Sequence, residues 1–89
     1  MNTSAEAVRL LQEALANARS ASQVIQDLIV EHDYQDVAVL VTQAAVSLLE
    51  SSALLMQSKD EDALDALGHA DDFLDAVYEI IDAETEEDE

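Results

Sequence analysis

VAVLVTQAAVSLL, residues 37–49, is the stretch on which the fold turns. It contains no charged side chain, and Val37, Leu40, Val41, Ala44, Ala45, Leu48 and Leu49 together cover far more than one face of a helix. Its opening Val-Ala-Val-Leu-Val also has the β-branched character of a strand, but the chain offers no second strand to pair with it. A helix from about Tyr34 to Gln57 is therefore expected. A helix that is apolar nearly all round must be covered on several sides, and two neighbours leave part of such a girth bare. Val37, Leu40, Val41, Ala44 and Leu48 are accordingly expected to form a self-association surface.

The polar clusters on either side of this helix set the remaining boundaries. With no proline and one glycine in the chain, helix breaks must come from capping residues. Residues 31–36 (EHDYQD) place Asp33 as a candidate N-cap and Asp36 in the positive first turn. Ser58-Lys59-Asp60-Glu61 has the spacing of a capping box. A first helix starts at Thr3, which with Glu6 forms another such box, and is expected to reach about Glu31 with Val8, Leu11, Leu15, Ala18, Ile25 and Ile29 inward. Ala14, Ala21, Val24 and Leu28 flank that stripe. A third helix from about Lys59 to Ala83 turns Ala63, Leu67, Ala70, Leu74, Val77 and Ile81 inward, with Phe73, Ile80 and Tyr78 on its flanks. Gly68 inside it suggests close packing or a slight bend. The expected fold is all-α, a three-helix antiparallel bundle of residues 1–83 that dimerises through the second helix, followed by a disordered acidic tail at 84–89.

Charge narrows the function. Three basic residues against 21 acidic ones leave −18. Solubility of a small domain needs only about 2 to 8 units. Residues 1–59 carry seven acids and all three bases, whereas residues 60–89 carry 14 acids and no base. Such a surplus repels nucleic acid and anionic membranes and attracts basic surfaces, although adaptation to high salt produces the same composition. The absence of cysteine excludes disulfides and thiolate metal sites. Glu6 and Glu13 interrupt any signal-like amino-terminal run, and the uncharged stretch 37–49 falls short of the ~20 residues that span a bilayer, so a cytoplasmic protein without membrane contact is expected.

The notable constellation is Asp65, Asp72, Asp75, Glu79, Asp82 and Glu86, which share the outer face of the third helix. Members three or four residues apart stand ~4.5 to 6 Å apart along the axis, a scale comparable with the spacing of phosphates on a nucleic-acid strand. Acidic rows are common on solvated helices, but like charges at these spacings destabilise a helix and are ordinarily relieved by Lys or Arg. None is present for thirty residues. Asp72-x-x-Asp75 and Glu79-x-x-Asp82 resemble the paired acidic signatures of all-helical nucleotide pyrophosphohydrolases, but those families divide the two halves between helices, and here all four acids lie on one. His32 and His69 have no ligand-spaced partners. No nucleophile and base pair, phosphate loop or calcium loop is present, so no catalytic residue, metal or cofactor is expected.

In size, acidity and the row on its third helix, the chain resembles the small acidic helical proteins of phages and mobile elements, the DNA mimics and some anti-CRISPR proteins. That resemblance implies a non-catalytic inhibitor that occupies a basic nucleic-acid-binding surface through Asp65, Asp72, Asp75, Glu79 and Asp82, with Tyr78 as an amphipathic contact. The alternative is a helical adaptor or antitoxin-like protein that binds itself or a partner helix through its second helix.

Overall fold

The computed structural model describes residues 3–87, with side chains through Ala83. It contains three helices and, among the described residues, no strand: α1 (Ser4–Gln26), α2 (Gln35–Met56) and α3 (Asp60–Glu87). They form an antiparallel bundle in which α2 is the shared element, packed by α1 and by α3. No Cα pair between α1 and α3 comes within 8 Å among the described residues, so the bundle is open rather than closed on itself. Its radius of gyration is 15.6 Å. A compact chain of this length would have about 12 Å.

Small residues make the seams. The buried apolar set is Leu15, Ala44, Ala53, Ala63, Ala66, Ala70 and Val77, joined by Ser22 and Ser51. Ala63, Ala66, Ala70 and Val77 recur at three, four and seven residues along one stripe of α3, and against α2 they permit close backbone approach at the expense of apolar area per contact. Two hydroxyls within α2 are satisfied by its own carbonyls: Thr42 Oγ1 donates to Ala38 O at 2.7 Å, and Ser51 Oγ to Leu48 O at 2.7 Å. Among the described residues no buried side-chain polar atom is left without a partner.

The helix termini depart from expectation in four places. Thr3 caps α1 as anticipated, its Oγ1 accepting from Glu6 N at 3.2 Å. The helix ends at Gln26, however, not near Glu31. Gln35 accounts for this. Its Nε2 donates to the Ile25 and Gln26 carbonyls at 2.8 and 3.3 Å, and its Oε1 accepts from His32 N at 3.2 Å. One side chain at the start of α2 thereby satisfies carbonyls that a longer α1 would have used internally. Leu28, Ile29 and Val30 fall in the connection and are exposed, so Ile29 is not part of the core; nor is Val24, which is exposed on α1.

At the start of α2 Tyr34, not Asp33, is the N-cap, and it makes no side-chain capping bond. Tyr34 N instead donates to His32 Nδ1 at 3.1 Å. In the turn between α2 and α3, Ser58 does not cap α3. It adopts φ 61°, with Ser58 N donating to Leu55 O at 3.0 Å and Lys59 N to Leu54 O at 2.9 Å. That pair of bonds is a Schellman motif closing α2, with serine in the left-handed position that glycine usually fills. Asp60, Glu61 and Asp62 then occupy the first turn of α3, where the helix dipole favours negative charge. With no breaker and with helix-forming Glu in the sequence, α3 continues past Ala83 to Glu87, through part of the segment expected as a disordered tail; Asp88 and Glu89 lie outside the described residues.

Candidate functional site

The face of α3 opposite its alanine stripe carries the acids. Asp65, Asp72, Asp75, Glu79 and Asp82 are all exposed, and the side chain of Glu86 lies outside the described residues. Tyr78 stands at the edge of this face, 61% exposed. Glu61, which the sequence suggested only as a capping partner, is exposed one turn before Asp65 and extends the row; its four-residue spacing from Asp65 was the available signal. Asp71 is exposed at the row's margin.

The row has one interruption. Asp65 and Asp72 are seven residues apart, about 10.5 Å along the axis, and Gly68 lies between them. A Cβ built at Gly68 would meet nothing within 4 Å. Close intramolecular packing therefore does not explain the glycine, contrary to expectation. The acidic face has a bare-backbone notch near its start.

Neutralisation is absent from this face. The ion pairs among the described residues are Arg9–Glu13 at 2.9 Å within α1 and Arg19–Glu50 at 3.7 Å between α1 and α2. Both are well exposed and make modest contributions to stability. Among the described residues no ion pair reaches an acid of α3, and no group of metal-binding side chains assembles. His69 borders a shallow cavity of about 260 Å³ with Glu50, Leu54, Asp62, Asp65 and Ala66. His32 packs against Tyr34, ring centroids 6.1 Å apart and tilted by 42°.

The five residues expected to mediate self-association do not share one environment. Ala44 is buried against the rest of the chain, 2% exposed, and Val37 and Leu40 are half-buried. Val41 and Leu48 reach the surface, and Leu55, which the sequence reading omitted, joins them. α2 is also long and apolar enough to cross a membrane by length and composition, with a mean hydropathy of 1.6. The uncharged run alone is too short; the full helix adds Asp36 and Glu50 on either side of it.

No protein-family model matches the sequence, and no curated protein or solved structure is detectably similar to it. What the chain does must be argued from its surfaces.

Proposed function

We propose that the chain is a non-catalytic inhibitor that occupies a basic, nucleic-acid-binding surface of another protein, with the acidic face of α3 in the place of a phosphate backbone. The observation that carries this is the unneutralised row Asp65, Asp72, Asp75, Glu79 and Asp82 on one exposed helical face, while all three basic residues precede α3 in the chain. Self-repulsion along such a row is a standing penalty to the fold, and a basic partner would remove it. Gly68 supports the same face. It costs about 1 kcal/mol relative to alanine in a helix interior with no internal contact to explain it, and a notch there lets a partner approach the backbone between Asp65 and Asp72. In this reading the protein is cytoplasmic and binds neither nucleic acid nor membrane directly.

The test is affinity capture from a bacterial lysate at low and high salt, with each captured protein then titrated against wild type and the Asp72→Lys/Glu79→Lys variant. Captured proteins should carry basic nucleic-acid channels, release steeply with salt, and exchange the chain for nucleic acid competitively. Full affinity in the double variant would remove α3 as the binding face. A second reading, an interaction protein that docks through α2, is favoured by the exposure of Val41, Leu48 and Leu55.

A further inference from the structure

α2 has four sides, and the fold uses two. Ala44 and Ser51 are buried on one side and Ala53 on the opposite one, half a helical turn away, where α1 and α3 pack. Of the two sides between these seams, one carries Asp36, Gln43, Ser47 and Glu50, and Arg19 of α1 reaches across to Glu50. The other carries Val41, Ala45, Leu48, Ser52 and Leu55, with no charge. Val41, Leu48 and Leu55 are 46%, 45% and 53% exposed, and they recur every seven residues. A spacing of seven keeps a stripe on one line along a helix, the arrangement by which helices pair side by side.

We propose that a second copy of this chain occupies that stripe, its α2 antiparallel to the first about a two-fold axis at Leu48. The inference names the occupant and geometry of the docking reading of α2, and stands apart from the acidic-face reading. Three observations on the molecule select a second copy. The chain exposes 6445 Å², whereas a compact monomer of its mass exposes about 5,100 Å². That excess, spread over the open bundle, is larger than the roughly 800 Å² that each partner contributes to a standard interface. The apolar spacing is also self-complementary: a two-fold at Leu48 sets Val41 of one copy against Leu55 of the other, twice, and leaves the small Ala45 and Ser52 beside the opposing Leu48. Finally, two chains of −18 each can meet only where neither carries charge, and this stripe is such a place.

Direction follows from the helix dipoles, since the acids are spread evenly along α3, six in each half of its 28 residues. A parallel pair sets like ends of the two α2 macrodipoles side by side, whereas an antiparallel pair sets opposite ends together. A lipid bilayer is the competing occupant, but it would have to accept an acidic protein whose α2 already packs on two sides.

The full chain is tested in three arms. Sedimentation should give twice the 9.7 kDa chain mass, and Leu48→Glu should weaken the dimer about 100-fold or more while leaving the circular dichroism helical. A wild-type chain that stays at 9.7 kDa to millimolar concentration overturns self-association altogether. Since the chain has no cysteine, single-cysteine variants report direction cleanly. Leu48→Cys should crosslink to itself, and Val41→Cys should crosslink to Leu55→Cys but not to itself, whether or not Leu48→Glu folds. Ready self-crosslinking of Val41→Cys in a species of dimer mass would overturn the antiparallel geometry while leaving self-association standing. Vesicles of zwitterionic lipid should not retain the chain; retention with loss of the dimer assigns the stripe to a bilayer instead.

Discussion

α2 and α3 are consecutive, similar in length and joined by a three-residue turn, yet their outer faces are opposites. α2 presents an uncharged stripe of Val41, Ala45, Leu48 and Leu55, while α3 presents Asp65, Asp72, Asp75, Glu79 and Asp82. Both pack through small residues, α2 with Ala44 and Ser51 on one side and Ala53 on the opposite one, and α3 with Ala63, Ala66 and Ala70. The contrast separates what packing requires from what it leaves free. A seam of alanines is enough to position the two helices, and it leaves each outer face to be specified for something else. α2 withholds charge where a soluble monomer would carry it, and α3 withholds the lysines that would relieve its acids.

The sharpest way to break this comparison is to move the chemistry of one face into the seam. Ala70→Asp places a carboxylate on the buried stripe of α3, where Ala70 is 1% exposed. An unpaired buried charge costs about 3 to 5 kcal/mol, and the variant should be largely unfolded by circular dichroism at 25 °C. Native helicity with an unchanged melting temperature would mean that the α2–α3 seam is looser than it stands here.

Two backbone positions come next. Gly68→Ala should stabilise the chain by about 1 kcal/mol in thermal or urea unfolding, since nothing obstructs the new methyl group. If the notch is a contact point, the same variant binds its target less well; a gain in stability with unchanged binding would reduce Gly68 to an unoptimised residue. Ser58→Gly removes the left-handed strain at the end of α2 and should also add about 1 kcal/mol. A loss of stability there would show that the serine side chain is needed in the turn.

The smallest effect on the fold comes from the row itself. Asp72→Lys with Glu79→Lys creates new pairs with Asp75 and Asp82, each worth about 0.2 to 0.5 kcal/mol, so the melting temperature should rise slightly. Binding to a basic target should fall, and the difference from wild type should shrink as salt rises. Stability and binding that move together would identify the row as a solvated face without a partner.

The three helices and the acidic row were legible because they depend on local pattern: the three-and-four spacing of apolar residues, and the absence of bases after Lys59. The helix ends were less so. Gln35 capping Ile25 and Gln26 is a contact across ten residues that depends on α1 and α2 already being side by side, so no local signal points to it. Ser58 has the spacing of an N-cap, but the turn uses its backbone rather than its hydroxyl. The reading of α2 erred by treating its apolar residues as one surface. Ala44 and Val41 are three positions apart, near enough in sequence to be grouped, but one faces a seam and the other faces solvent. Only the placement of α1 and α3 on opposite sides of α2 separates them.

The lack of close approach between α1 and α3 bears on how the chain folds. Each interhelical seam joins neighbours in sequence, through connections of eight and three residues, so the loops to be closed are short and their entropic cost is small. Low contact order of this kind goes with folding in microseconds to milliseconds. The two hairpins share only α2, as adjacent units share a helix in a repeat array, and their cooperativity is only as strong as that helix is rigid. Hydrogen exchange should accordingly find α1 and α3 opening separately, and α2 protected longest.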